Sequence, residues 1–316
     1  MGNGLSVRPF EMSDLPQVLE VLRLSLGEPP GLARTPRLFA WKHLDNPFGR
    51  SLMLVAEEGG RMVGFRAFMQ WQLVTPGGVI LRCVRAVDTA THPDFQRRGI
   101  FRMLTLSGID HASSEGIDLI FNTPNSKSRP GYLSMGWREI GHVGAMVRPS
   151  WRLLGSWRDR QVWAPAVDLV THTDFDKTLA IADRPPRGLR TPRTRDYLYW
   201  RFVAHPTGHY VSASSAEGFA LGRAHLRRGR RELVISELFG PGSPQAARSL
   251  RARTRPDYMV GWFSASSHER AWAVRSGMIP MPGIKALTLV ARPLIELPVS
   301  LTWSNWDLSM GDLELL

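Results

Sequence analysis

The chain has 316 residues, 43% hydrophobic and 22% charged, a balance that fits a globular protein with ample core and excludes disorder along its length. At roughly 150 residues per domain, two domains are expected. Forty basic against 28 acidic side chains leave a net charge of +12, and only four of the forty are lysine, so the surface should attract anions such as nucleic acid, acidic lipid or a phosphorylated cofactor.

No stretch reaches the ~18 uninterrupted apolar residues of a membrane helix. The first residues carry neither a basic nor an apolar leader region, and a cytoplasmic location is expected. The single cysteine, Cys83, excludes an intrachain disulfide framework and a multi-thiolate metal site, and no metal is expected. Zinc-finger spacing, RNA-binding aromatic signatures and basic heptads are absent, which disfavours a nucleic-acid partner and leaves a phosphate-rich small cofactor to suit the charge.

In chain order, residues 4–9 read as a strand. Asp14 to Leu26 reads as an amphipathic helix, with Leu15, Val18, Leu19 and Leu22 at helical spacing behind an N-cap at Ser13 or Asp14. A helix at 35–45 leads to strands at 51–57, 61–73 and 79–90, parted by Gly59-Gly60 and Pro76-Gly77-Gly78 turns. A helix at 99–114, a strand at 117–122, a helix at 126–135 and a strand at 138–147 complete the first half. The second half repeats the order: a strand at 166–171, helices at 174–182 and 194–203, and strands at 209–215, 218–227 and 231–238. A helix from 243, a strand at 257–263, a helix at 267–276 and a strand at 283–291 follow.

Identities accompany this repeat. Trp41 and Trp200, Pro47 and Pro206, and Gly49 and Gly208 are each 159 residues apart, while Gly64 and Gly222 are 158 apart and Gly136 and Gly277 are 141 apart. Hairpins followed by a βαβ crossover, twice over, predict an α+β fold of two mixed-sheet domains. The expected divisions are 1–150, 151–292 and a tail at 293–316 in which Trp303 and Trp306 pack back onto the body, with a Pro- and Trp-interrupted junction at 148–164.

The informative segment runs from Val87 to Phe101. A strand ends in a tight loop, His92-Pro93-Asp94-Phe95-Gln96-Arg97-Arg98-Gly99, that opens directly into a helix at Ile100-Phe101. Free backbone N–H groups and the positive end of the helix dipole at such a junction form an anion site suited to a pyrophosphate. Gly99 would let the backbone approach the phosphate oxygens, and Arg97 and Arg98 add charge. Gly-Xaa-Ser-Xaa-Gly and His-Glu-Xaa-Xaa-His are absent, which removes support for hydrolase and zinc-protease readings. Cys83, within a strand, reads as a small buried apolar side chain, and His92 and His111 read as surface residues.

Gln96-Arg97-Arg98-Gly99-Ile100-Phe101 resembles the Q/R-x-x-G-x-G/A acyl-CoA signature of the GNAT acyltransferases, with Phe101 replacing the final small residue. The run from Phe121 through Asn122, Asn125 and Ser128 to Tyr132 and Gly136-Trp137 resembles that family's second marker. Leu5 to Leu15 resembles its first strand and helix. The resemblance covers residues 4–147 well and 166–292 as an echo.

It implies a two-lobed fold, each lobe a twisted, mostly antiparallel sheet flanked by helices, and an acyl-CoA-dependent N-acyltransferase. That enzyme would move an acetyl or longer acyl group to a primary amine of a small molecule by direct attack in a cleft between the lobes. Thr89, Ala90 and Thr91 would offer backbone groups to the pantetheine arm. Gln96, Arg97, Arg98, Gly99, Ile100 and Phe101 would hold the phosphates, and Asn125 and Ser128 would complete the cofactor site. Tyr132 would protonate the departing thiolate, and Asp88, beside the splayed strand, would serve as base.

An arginine-rich cleft would favour an anionic or polyhydroxylated acceptor such as an amino sugar. The corresponding loop of the second half, Gly240-Pro241-Gly242-Ser243, lacks the basic pair, so that lobe should keep the shape without the cofactor. A catalytically silent CoA-binding scaffold and an arginine-rich nucleic-acid binder are the rival readings.

Overall fold

The computed structural model describes residues 4–28, 33–150, 163, 169–182, 185–282 and 286–313. Most of the expected junction at 148–164, and the starts of the strands expected at 166–171 and 283–291, lie outside the described residues. Strand β1 (Ser6–Pro9) is followed by helices α1 (Leu15–Leu26) and α2 (Pro36–His43), then by β2 (Leu52–Glu58), β3 (Arg61–Val74) and β4 (Ile80–Thr91). Helix α3 (Ile100–Ser114), β5 (Leu119–Asn122), α4 (Arg129–Ser134), β6 (Arg138–Val143) and β7 (Ala145–Pro149) complete the first half. The second half contains α5 (His172–Ala182), α6 (Arg195–Leu198), β8 (Tyr210–Ser215), β9 (Gly218–Arg227), β10 (Arg230–Phe239) and α7 (Ser243–Thr254). It ends with β11 (Tyr258–Trp262), α8 (His268–Arg275), β12 (Ile279–Pro280), β13 (Leu287–Pro293) and the short α9 (Met310–Leu313).

Helix α1 forms where periodicity placed it, burying Val18, Val21 and Leu22 against the sheet. Each such side chain contributes about 1.5–3 kcal/mol of transfer free energy. Its entry differs from a plain N-cap: the Asp14 carboxylate turns back to accept from the Glu11 N–H at 2.8 Å and from Arg8 at 2.7 and 2.8 Å. Among the described residues no helix is long and apolar enough to cross a membrane.

The strands form two mixed, mostly antiparallel sheets flanked by helices. One has the order β1-β2-β3-β4-β5-β13-β6 and the other β12-β7-β11-β10-β9-β8. In each, a hairpin series leads to one parallel pair, β4 with β5 and β10 with β11. The repeat is therefore real in three dimensions, with one departure from the expected order. The single strand expected at 138–147 breaks at Gly144: β6 pairs with β13 in the first sheet, whereas β7 pairs with β11 and β12 in the second. Conversely β13, expected to close the second half, lies between β5 and β6 of the first sheet. Each half lends a strand to the other, so neither sheet is built from one half alone.

The exchange is backed by a shared core. Trp41 and Trp200, the clearest pair in the sequence repeat, stack with ring centroids 4.8 Å apart. Each indole N–H donates to the other residue's carbonyl, at 2.8 and 2.7 Å. Reciprocal contacts between equivalent residues are what an approximate two-fold axis produces, and both tryptophans sit in one buried cluster with Trp71, Phe121, Tyr197 and Phe202.

The tail runs against both sheets. Trp306 is buried, Trp303 packs on Gly141, and the Ser264 N–H donates to the Leu308 carbonyl at 2.9 Å. Further along, Asp312 and Glu237 of β10 share the buried Arg193 guanidinium at 2.7 and 3.0 Å. Burial pushes Glu237 up to about 7 against the pull of Arg193, with the Asp312 charge adding to the rise. The tail thus occupies the space beside β10 where its pairing with β11 has ended.

Candidate active site

Strands β4 and β5 run in parallel register only from Cys83 opposite Leu119 to Arg85 opposite Phe121. The cause of their parting is visible on the other edge of β4. Ala67 faces Val87 and Phe65 faces Ala90, so Asp88 and Thr89 together stand opposite the single residue Arg66. This is a β-bulge, which bends the strand and ends pairing. Asp88 carries the strained φ of +45° that the extra residue demands.

From residue 86 the β4 backbone turns away from β5 and opens a cleft of about 810 Å3. Its walls are residues 86–89 of β4, Asn122 at the end of β5 with residues 123–128 after it, Gln96, Phe101, Gly131, Tyr132 and, from α1, Ser25 and Leu26.

At one end of the cleft, helix α3 starts on Gly99, whose φ of +77° is the left-handed conformation glycine tolerates. No side chain caps the helix, and its first internal bond runs from the Met103 N–H to the Gly99 carbonyl. The N–H groups of Ile100, Phe101 and Arg102 therefore have no acceptor within the helix, as an anion site requires. A Cβ on Gly99 would meet nothing within 4 Å, so the protein's own packing leaves that corner open and the glycine is demanded by backbone conformation alone.

The second lobe differs at the same point. The Gly242 N–H is bonded to the Glu217 carbonyl at 3.1 Å, and a Cβ on Gly218 would lie 2.0 Å from the Ser243 nitrogen. Backbone fills the start of α7, and the tail fills the space beside β10.

Among the expected cofactor residues, Thr89, Gln96, Phe101, Asn125 and Ser128 line the cleft. Ala90 and Thr91 are not among the residues that line it; the cleft wall on β4 runs from Ala86 to Thr89, just past the end of its pairing with β5. The Arg98 guanidinium is held by Glu58 at 2.6 and 2.8 Å rather than standing over the helix start. Arg97 is exposed with a φ of +64°, and the Ile100 side chain is core, leaving only its N–H for the site.

The Asn125 Oδ1 accepts from the Lys127 and Ser128 N–H groups at 2.9 and 3.0 Å, so it shapes the turn into α4. Cys83 is buried, and burial pushes its thiol well up, leaving no nucleophile there. His92 is buried rather than superficial, bonded to Arg61 at 2.8 Å outside the cleft. Among the described residues no arginine lines the cleft, and the arginine-rich acceptor wall expected from the sequence is not found there.

Tyr132 lies deep in the cleft. Its ring packs edge-on against Phe101 at 5.4 Å and Trp137 at 5.1 Å, and its Oη accepts from Arg66 Nη1 at 2.8 Å. With that lone pair engaged, the hydroxyl proton remains free to be donated. Arg66 was not singled out from the sequence, although a cation at the centre of the apolar run Phe65-Arg66-Ala67-Phe68 was the available signal.

Asp88 also reaches the cleft, but its chemistry does not suit a base. Its carboxylate contacts Lys42 at 2.7 Å, His43 at 3.0 Å and Arg34 at 3.5 Å. Burial alone would raise it; the Lys42 charge and the His43 hydrogen bond outweigh that and hold it far below the ordinary carboxylate range. Burial lowers His43 and favours its neutral form, despite the opposing pull of Asp88.

A group whose folded value is depressed stabilises the protein fully above its unfolded value of about 3.9 and loses that contribution only in stronger acid. Turnover between pH 5 and 8 should therefore carry no limb from Asp88. Asp88→Asn should destabilise the fold by about 3 kcal/mol, because Lys42 loses its counter-charge. If the variant melts with the wild type while an acid limb of turnover disappears, Asp88 is the base after all.

A family model described as an acetyltransferase (GNAT) domain matches residues 6–140. No curated protein matches the sequence at a significant level. Among solved structures, a GCN5-related N-acetyltransferase from Anabaena variabilis superposes with a TM-score of 0.65 at 13% identity, covering 92% of this chain and 72% of that one. One from Kribbella flavida gives 0.63 at 15% identity over 92% and 71%. The Saccharomyces cerevisiae N-myristoyltransferase with bound myristoyl-CoA gives 0.60 at 10% identity over 92% and 83%.

Proposed function

We propose that this chain is an acyl-CoA-dependent N-acyltransferase of the GNAT type, a reading supported by the match of residues 6–140 to an acetyltransferase (GNAT) domain, and that it transfers an acetyl group from CoA to a primary amine of a small molecule. The observation that carries this reading is one cleft with an uncapped helix start at one end and the Tyr132 hydroxyl at the other. The residues fit the co-substrate. The free N–H groups at α3 meet the phosphates, and the unpaired β4 edge from residue 86 meets the amide-bearing arm. Tyr132 meets the sulfur.

Catalysis then consists of holding the amine against the thioester carbonyl and handling two protons. The amine nitrogen bonds to the carbonyl carbon, the C–S bond breaks with its electron pair on sulfur, and Tyr132 supplies the proton that makes the free thiol. With Asp88 held as an ion-paired carboxylate, the proton leaving the amine goes to water.

Testing requires purified protein, acetyl-CoA and longer acyl-CoA thioesters, and a panel of amines that includes amino sugars. Thiol release, together with an acceptor heavier by one acyl group, is expected with at least one amine. Release at background across the panel, with CoA still bound, would leave a binding scaffold in place of an enzyme.

A further inference from the structure

Arg66 is completely buried, yet among the described residues it has no counter-ion. Its Nη1 donates to Thr89 Oγ1 and to Tyr132 Oη, the latter at 2.8 Å. Its Nε and Nη2 find no hydrogen-bond partner, and among the described residues no carboxylate lies within ion-pair distance. The guanidinium is surrounded instead by rings, with Phe68 at 4.4 Å, Tyr132 at 5.3 Å and Phe101 at 5.9 Å. Aromatic faces replace only part of the water such a cation gives up, and a side chain that served the fold alone would be satisfied better by a hydrocarbon. The position also matters, because Arg66 is the residue opposite the bulge that opens the cleft.

Resting on the acyl-transfer reading above, we propose that Arg66 is a positioning residue that acts through Tyr132. It holds the phenol oxygen in place and stabilises the negative charge that oxygen acquires as its proton passes to the departing sulfur. The step balances. The C–N bond forms and the C–S bond breaks with its pair on sulfur, the Tyr132 proton completes the thiol, and the phenolate left beside Arg66 and Thr89 regains a proton that the amine released to water. The Phe101 ring, edge-on to Tyr132 at 86°, covers the pair and limits access of water, which strengthens the attraction. A small residue at that position would leave the pair open.

The full chain with an accepted amine provides the test, using Arg66→Met, Arg66→Lys and the double variant Arg66→Met with Tyr132→Phe. Arg66→Met should lower kcat by about 10-fold or more, leave KM for acyl-CoA within roughly 2-fold, and melt at or above the wild-type temperature. Arg66→Lys should recover part of the lost kcat. The double variant should be no slower than Tyr132→Phe alone, because both substitutions remove one function. Wild-type kcat in Arg66→Met, multiplicative losses in the double variant, or failure of Arg66→Met to fold would each overturn the proposal. Absence of thiol release by the wild type would overturn the acyl-transfer reading itself, and is seen before any variant is made.

Discussion

Gly99→Glu should lose CoA binding by more than about 100-fold while the protein stays folded. The two effects separate because they have different origins. Forcing a side chain into the left-handed conformation at φ +77° costs the fold about 1–3 kcal/mol, and the new Cβ meets no protein atom within 4 Å. Binding suffers far more, since a carboxylate would stand at the start of α3 where the N–H groups and the helix dipole favour an anion.

Gly99→Asn is the control: asparagine tolerates the left-handed region and adds no charge, so it should melt near the wild type and retain more affinity than the glutamate variant. Titration calorimetry should give one CoA per chain, because the matching helix start in the second lobe is filled by the Glu217 carbonyl and Gly218. Two equivalent sites, or an unchanged affinity in Gly99→Glu, would remove the phosphate assignment.

Tyr132→Phe should lower kcat by about 100-fold with KM for acyl-CoA nearly unchanged. A thiolate is already a fair leaving group, which limits the effect. The ring contacts with Phe101 and Trp137 survive the substitution, and Arg66 keeps its bond to Thr89 but loses the one to the phenol. That loss is worth about 1–2 kcal/mol, or a few degrees of melting temperature. A variant that melts within that range and turns over like the wild type, with chemistry rather than product release limiting the rate, would make Tyr132 a packing residue and assign the proton to water.

The elements were legible because their signals are local. Apolar spacing marked α1, glycine pairs marked the hairpins, and the glycine-led junction at Gly99 marked the start of α3. The site was only partly legible. Gln96, Phe101, Asn125, Ser128 and Tyr132 do line one cleft. Asp88 was placed correctly beside the strand, but the role expected of it does not suit its surroundings, because the cations Arg34 and Lys42 reach it together with the neutral His43. Nothing in the neighbouring sequence announces that encounter. Which β4 residues line the cleft depends on where the bulge falls: the wall runs over 86–89 rather than the 89–91 expected, and the bulge is visible only in the pairing with β3.

The amino-acid sequence by itself determined the repeat and the α+β class, both properties of residue order. The tertiary structure alone decided which strands share a sheet, because β7 and β13 are carried across to the opposite lobe by partners more than 100 residues away. It also decided which ionisable groups can act. Half-buried Asp88 and fully buried Arg66 stand beside the same bulge, but the carboxylate meets Arg34, Lys42 and His43 whereas the guanidinium meets aromatic rings, and those surroundings come from distant elements that only the folded chain brings together.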